Sequence, residues 1–174
     1  MGMIGQNIPV RDAAMKVTGQ LKYTADLEFP GMLHAKILFS PVPHARIKRI
    51  DTSRAEALEG VHGVVCYLNS PDTKYKSCGE EIDGHKTERV FDDTVRYVGD
   101  KVAAVAADTV KIAEQALKLI QVEYEELPFY TDPREALKEG AYPIHGESNI
   151  IFPVDMGAGD VEAGFKAADY IYED

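Results

Sequence analysis

The 174-residue sequence lacks several features that would direct it to a membrane, to nucleic acid or to a structural metal. It contains no apolar run close to the length of a membrane span and no signal peptide, so we expect a cytoplasmic protein. Cys66 and Cys78 have no C-x-x-C spacing and predict neither a disulfide framework nor a zinc site. The formal net charge of -10 argues against binding to nucleic acid, which needs a basic surface to meet phosphate.

Sequence motifs of catalysis are also missing. The sequence contains no G-x-S-x-G, no G-x-x-x-x-G-K and no G-x-G-x-x-G motif. No two histidines stand at a ligand spacing such as H-x-x-x-H, and we interpret each one as a strand-face or loop residue. The five histidines are His34, His44, His62, His85 and His145.

Two groups of carboxylates could suggest acid–base chemistry. Glu123, Glu125 and Glu126 fall on the solvent-facing side of a predicted strand, so a solvated sheet edge is the better interpretation. Asp92-Asp93 precedes another strand and is interpreted as a turn. We therefore assign no catalytic, cofactor-binding or metal-ligating residue in this chain.

What the sequence does contain is the pattern of a globular domain. Hydrophobic residues make up 45% of it, and its length suits one domain, or one domain and part of a second. The most regular stretch, 95–128, predicts strand, turn, strand, helix and strand. Gly99-Asp100 is typical of a type II′ hairpin turn, and the Val/Ala run 101–107 is typical of a strand covered on both faces.

The helix of this stretch is predicted from its cap and its apolar stripe. Asp108 or Thr109 can accept a hydrogen bond from a free N–H of the first turn. The stripe comprises Ile112, Ala113, Ala116, Leu117 and Ile120. Alternation in 121–126 predicts a half-buried strand, which Leu127-Pro128 ends because proline cannot donate to a ladder.

The first half of the chain predicts an arm followed by three strands. Residues 1–20 show no period and indicate an extended arm or loop. Strands are predicted at 32–39, 44–51 and 61–68, with Ala45, Ile47 and Arg49 sharing one face of the second.

A helix and a long polar stretch interrupt these strands. Ser53 and Glu56 match the capping box of a short helix that Gly60 stops. The polar stretch 69–89 is long for a connection, so it is either an ordered insertion or a mobile flap.

The end of the chain predicts two more helices. Asp132-Pro133 caps the first, which Gly140 ends, and Gly159-Asp160 starts the second, which runs through Ala167. Residues 168–174 begin a strand that is cut off, so we expect the chain to be a fragment of a longer protein.

Four blocks of residues also stand in a recognisable order. The first comprises Arg11-Asp12, Lys16-Val17-Thr18-Gly19 and Tyr23-Thr24-Ala25-Asp26; the second Ser40-Pro41, His44-Ala45-Arg46-Ile47, Ile50-Asp51 and Gly60-Val61; the third Val95-Arg96-Tyr97-Val98-Gly99, Val102-Ala103-Ala104-Val105, Val122-Glu123-Tyr124-Glu125 and Leu127-Pro128; the fourth Gly159-Asp160-Val161, Phe165 and Ala168-Asp169. Together they resemble the large, molybdenum-cofactor subunit of the xanthine dehydrogenase and aldehyde oxidase family. The chain departs from the family pattern at Phe39, at Asp100-Lys101 and in the stretch 69–89.

The resemblance implies an α+β fold, the α/β-hammerhead, with a mixed β-sheet and a few packed helices. It implies an N-terminal arm at 1–20, the hammerhead domain at 21–140, and at 141–174 a linker and the truncated start of the molybdopterin-binding domain. The family hydroxylates aldehydes or N-heterocycles such as purines with oxygen from water, and passes electrons through [2Fe-2S] clusters to FAD.

The resemblance further implies where the cofactors belong. Molybdopterin would be bound by the rest of the large subunit, and the iron–sulfur clusters and FAD by partner domains or subunits, so this chain is expected to hold no cofactor and to be non-catalytic. The alternative is a free-standing binding or assembly module with the same fold and no catalysis.

Overall fold

A computed structural model describes residues 4–75, 88–150 and 156–173 of the chain. Its strands are β1 (His34–Phe39), β2 (Ala45–Asp51), β3 (Val61–Cys66), β4 (Thr94–Val95), β5 (Lys101–Ala107) and β6 (Gln121–Glu126). Its helices are α1 (Ala13–Val17), α2 (Ser53–Glu56), α3 (Val110–Leu117), α4 (Pro133–Ala136) and α5 (Val161–Ala167), with a 3-10 turn at Thr24–Asp26. No helix within these ranges has both the length and the apolarity needed to cross a membrane.

The strands form two three-stranded sheets. The first has the order β1-β5-β3 and the second the order β4-β2-β6. Every ladder is antiparallel, since β5 pairs with β1 and β3, and β2 pairs with β4 and β6. The α+β class is therefore confirmed, although the strands lie in two antiparallel sheets and not in one mixed sheet.

Strand β5 is the centre of the first sheet and of the core. One of its faces is fully buried, and this face is formed by Ala103, Val105 and Ala107. Val102, which is an extra residue where the pairing with β1 is irregular, is also fully buried. Ala104 and Ala106 on the opposite face are only partly buried. The expectation that this strand is covered on both faces is therefore wrong: only one face is covered in the described structure.

Helix α3 covers the buried face of the first sheet. It begins after Thr109, whose side chain accepts a hydrogen bond from the N–H of Ile112 at 3.2 Å. Ala113 and Ala116 are fully buried, as the predicted stripe requires. Side chains from both sheets, α2 and α3 form one hydrophobic cluster.

The turn at Gly99 differs from the predicted hairpin. The N–H of Asp100 donates to the carbonyl of Tyr97 at 3.1 Å, and Gly99 has φ +96°, which is a type II turn with glycine in its second central position. The positive φ is confirmed, but the flanking strands β4 and β5 belong to different sheets. The predicted type II′ hairpin is wrong because adjacent strands need not pair with each other.

Several smaller expectations also need correction. Residues 1–20 are not wholly an arm or loop, because they contain α1. Helix α2 starts at Ser53 after Thr52, and the Ser53–Glu56 capping box does not form; Ser53 instead donates to Asp51. Residues 168–173 are not assigned to a strand.

Strand β2 contains an irregularity that the alternation of its sequence does not show. Ile47 pairs with Tyr124 and Arg49 with Glu123, so Lys48 is an extra residue in the ladder. Arg49 is therefore exposed and Ile50 is buried in its place, contrary to the predicted face.

Candidate functional site

A cluster of charged side chains lies beside β4. The Asp92 side chain is 9% exposed, and its two oxygens lie 2.9 Å from Nη1 of Arg96 and 3.1 Å from Nη1 of Arg89. Arg89 also donates from Nε to Asp72 at 2.5 Å. We call Asp72, Arg89, Asp92 and Arg96 the Asp92 cluster. It joins residue 72 to the segment 89–96, with the buried carboxylate of Asp92 between the two arginines.

The charged groups of the Asp92 cluster shift one another's pKa values and so keep one another ionised. Burial raises the pKa of Asp92, but the hydrogen bond and the positive charge of Arg96 outweigh burial and hold this pKa below its ordinary value. The hydrogen bond to Asp72 raises the pKa of Arg89. Asp92 is therefore ionised at neutral pH, and its proton affinity is too low for a general base working near pH 7.

His145 lies against the Asp92 cluster. Its Nδ1 atom is buried and has no hydrogen-bond partner among the described residues. Burial, followed by the positive charge of Arg96, lowers the pKa of His145, so the ring is neutral at pH 7. The adjoining cavity of about 30 Å³ has room for one water molecule and not for a substrate. It is lined by Glu88, Arg89, Asp92, Arg96, Tyr97, Asp100, Lys101 and His145.

The same cluster holds the segment 141–150 on the domain. Arg96 donates from Nε to the carbonyl of Ile144 at 3.3 Å. Asn149 accepts from the N–H of Ile144 at 2.8 Å and donates to the carbonyls of Ala136 and Tyr142 at 2.9 and 3.0 Å. The arrangement joins parts of the chain by salt bridges and hydrogen bonds, which is a structural role.

An open cleft of about 350 Å³ lies next to the cluster, between the residues after β3 and the segment 88–93. Its volume is enough for a small ligand. Its lining carries the carboxylates of Asp72, Asp92 and Asp93 and a single guanidinium, that of Arg89, which is already paired. A phosphate-bearing pterin would meet excess negative charge here, so these residues do not fit molybdopterin.

His44 has a structural environment. It is 2% exposed, and its Nδ1 lies 2.5 Å from the carbonyl oxygen of Pro128. Its ring meets that of Tyr142 edge to face at 5.8 Å. His44 therefore joins the start of β2 to the residues after β6.

The remaining candidate residues of the sequence are dispersed. His62 lies 2.6 Å from Asp108 at the surface, and His34 is half-buried on β1. His85 and Cys78 lie outside the described residues, as does most of the stretch 69–89. The described ranges contain no group of three or more His, Cys, Asp or Glu that could hold a metal ion.

The two predictions made for the acidic residues differ in how well they agree with the structure. Glu123, Glu125 and Glu126 are exposed on β6, an edge strand, so their interpretation as a solvated edge is confirmed. The interpretation of Asp92 as a turn residue missed its buried ion pairs. The spacing R-x-x-D-x-x-x-R, with a carboxylate between two arginines, is the signal that could have indicated them.

With this geometry described, the chain can be compared with known proteins. The sequence model described as "Aldehyde oxidase and xanthine dehydrogenase, a/b hammerhead domain" matches residues 18–128, more than half of the chain. The chain belongs to this family. The hammerhead fold expected from the resemblance is thereby confirmed.

Relatives of this hammerhead chain are considerably longer. A probable xanthine dehydrogenase component of Bacillus subtilis is 46% identical over 163 residues, which cover 94% of this chain and 21% of that protein. Nicotinate dehydrogenase large molybdopterin subunit of Eubacterium barkeri is 40% identical over 99% of this chain and 40% of that protein. The crystal structure of quinoline 2-oxidoreductase from Pseudomonas putida 86 has a TM-score of 0.70 and 39% identity, over 81% of this chain and 18% of that one. The chain thus spans about a fifth to two fifths of the length of these relatives.

Proposed function

We propose that this chain is the N-terminal hammerhead domain of the molybdopterin-binding large subunit of a molybdenum hydroxylase, where it acts as a non-catalytic scaffold. The observation that carries the proposal is the family match over 18–128 in a chain that spans 21% of its Bacillus subtilis relative. The Asp92 cluster supports the scaffold role, because its carboxylate is ionised and already paired with Arg89 and Arg96, and the cavity beside His145 holds only one water molecule.

On this proposal the whole enzyme hydroxylates an aldehyde or an N-heterocycle such as a purine, with oxygen from water. Molybdopterin is held by the remainder of the large subunit, and electrons leave through [2Fe-2S] clusters to FAD on partner domains or subunits. The names of the Bacillus subtilis and Eubacterium barkeri relatives, a probable xanthine dehydrogenase and a nicotinate dehydrogenase large molybdopterin subunit, support the N-heterocyclic substrate class and the molybdopterin-binding subunit. The division into 1–20, 21–140 and 141–174, and a cytoplasmic location, are part of the same proposal.

A chimera tests the role in the large subunit. In the Bacillus subtilis relative, the aligned segment is replaced by this chain, and the protein is produced with its native partners. We expect molybdenum to be retained and xanthine-dependent dye reduction within about tenfold of the parent. The matched control lacks the segment altogether and is expected to give no active enzyme, while the 174-residue chain alone should show neither molybdenum nor activity.

Two results would contradict the proposal in different ways. Bound molybdopterin or hydroxylase activity in the 174-residue chain would overturn its non-catalytic role. A chimera that does not accumulate in soluble form, although the chain alone is folded, would overturn the role in the large subunit and favour a free-standing binding module.

A further inference from the structure

We infer that one face of the first sheet, here called the outer face, is the surface on which the remainder of the large-subunit polypeptide packs. The inference rests on the proposed function, and it adds which surface of the domain makes the contact. The outer face is formed by Ala35, Ile37 and Phe39 of β1, Ala104 and Ala106 of β5, and Gly63 and Val65 of β3, and it ends at Lys101, which pairs with Phe39.

The position of α3 identifies this face. Lys36 of β1 lies 3.3 Å from Glu114 of α3, so residue 36 and its alternate neighbours point toward the helix. Ile37 and Phe39 therefore point away from the helix and are 39% and 52% exposed. Val65 of β3 is likewise 39% exposed, so large apolar side chains stand uncovered on both flanks of the sheet.

The register of the strands gives the outer face a definite shape. Ala104 pairs with Ile37 on one side and with Val65 on the other, and Ala106 pairs with Gly63. Ala104 therefore lies between two larger side chains, whereas Ala106 lies between Ala35 and Gly63. The result is an apolar surface with a depression at Ala104 and a flat region at Ala106, which can receive apolar side chains.

The second sheet shows what a water-facing surface of this domain looks like. Its exposed side carries Arg46 and Lys48 on β2 and Glu123 and Glu125 on β6, and Lys48 lies 3.7 Å from Glu125. An antiparallel sheet with one solvated face normally alternates apolar and polar residues in this way. Apart from Lys101 at its end, whose Nζ donates to the hydroxyl of Tyr75 at 2.9 Å, the outer face is apolar or glycine instead, which indicates that protein covers it.

The relatives and the charge of the chain identify the occupant. In the matched structure and in the Bacillus subtilis relative, this region forms 18% and 21% of one polypeptide. Segments of one polypeptide meet at a high effective concentration, so an apolar face of modest size is enough to hold them together. A second copy of this chain is a poorer occupant, because each copy carries a net charge of -10 and the two would repel.

Cysteine labelling tests the inference. Ile37→Cys and Val65→Cys place a thiol on the outer face, and Lys48→Cys is the matched control on the exposed side of the second sheet. Each is labelled with a maleimide in the 174-residue chain and in the Bacillus subtilis chimera, and the modified peptides are quantified by mass spectrometry. We expect all three thiols to react in the chain alone. In the chimera, the two outer-face thiols should react at least about tenfold more slowly, while the control keeps its rate.

The outcomes separate this inference from the proposed function. Outer-face thiols that react equally fast in an active chimera would overturn the inference and leave the proposed function intact. Protection that appears in the chain alone and grows with its concentration would assign the face to a second copy, which also overturns the inference. A chimera that does not assemble would overturn the proposed function and this inference with it.

Discussion

Asp92 keeps a negative charge in a place that water barely reaches. Such a charge is tolerated only when oppositely charged partners replace its lost hydration, and Arg89 and Arg96 supply them. The cost of removing Asp92 is large because Arg96, whose side chain is only 18% exposed, would lose the carboxylate that compensates its charge. The stability of the cluster therefore depends strongly on this one carboxylate.

We predict that Asp92→Asn lowers the free energy of unfolding by about 3 kcal/mol, since the variant keeps the shape and loses the charge that faces Arg96. Urea denaturation at neutral pH measures the effect. Glu135→Gln is the control, because it breaks an exposed pair with Lys138 and should cost at most about 0.5 kcal/mol.

The dependence of the free energy of unfolding on pH in acidic solution gives a second check on Asp92. The pKa of Asp92 is lowered from 3.8, so its stabilisation is present above that pH and is lost as the pH falls through the folded-state value. The difference between the parent and Asp92→Asn should therefore shrink only at strongly acidic pH. Equal losses in the Asp92 and Glu135 variants would show that Asp92 makes no special contribution.

Gly99 is constrained by its backbone alone. Its φ of +96° is a conformation that side chains other than glycine rarely adopt, and a Cβ there would meet no atom within 4 Å. We predict that Gly99→Val costs about 1–3 kcal/mol, measured as a shift of the denaturation midpoint. Gly63→Ala is the matched control, since it also has open space but no positive φ, and its midpoint should stay near the parent value. An unchanged midpoint in Gly99→Val would show that the turn is not type II.

Two segments of the chain are built alike but packed differently. In 52–61 and in 132–141, a one-turn helix is followed by a turn whose glycine, Gly60 or Gly140, has φ +84° or +77°. A Cβ on Gly60 would lie 2.8 Å from Cδ1 of Ile112 on α3, whereas a Cβ on Gly140 would meet nothing within 4 Å. The first segment is therefore in contact with α3, and the second has open space at the same position.

We predict that Gly140→Ala costs about 1–2 kcal/mol, for the backbone conformation alone. Gly60→Ala should cost about 1–3 kcal/mol more, because the methyl group displaces Ile112. Ile112→Val removes Cδ1, so the double variant Gly60→Ala with Ile112→Val should lose less stability than the sum of the single variants in a double-mutant cycle. Equal costs at Gly60 and Gly140 would contradict the close approach to α3.

Sequence reasoning predicted the elements whose signals are local. The Val/Ala run of β5, the Thr109 cap and the apolar stripe of α3 lie within a few residues of each other, and all three were predicted. The pairing of strands was not, because the partners of β5 are distant in the sequence and a tight turn at Gly99 suggested a nearby one. The burial of Asp92 was missed for a related reason: it depends on Arg96 and on segments that only the tertiary structure brings together.

The response of the whole chain to acid should depend on His145. Burial and Arg96 lower the pKa of His145 below 6.5, so in mildly acidic solution the unfolded chain binds a proton that the folded chain resists. Stability is therefore complete above about pH 6.5 and falls as the pH drops toward the folded-state value.

We predict that His145→Gln weakens this dependence, so that the variant loses less stability than the parent between about pH 7.5 and about pH 5.5. Thermal unfolding over this range measures it, and His62→Gln controls for the loss of a histidine elsewhere. A parent and a His145→Gln variant with parallel pH profiles would contradict the buried position of His145.

The pairing of the strands has a consequence for how the protein is made. In the described structure, every ladder joins a strand from residues 34–66 to a strand from residues 94–126. During synthesis, β1, β2 and β3 therefore leave the ribosome before any of their partners exists, with unpaired edges and apolar side chains in water. A chain in that condition is open to aggregation, and its distant pairings slow folding. The first sheet can close only once Ala107 has emerged, and the second is complete only once Glu126 has. Neither sheet, as described here, can therefore start from a hairpin of strands that follow each other in the sequence.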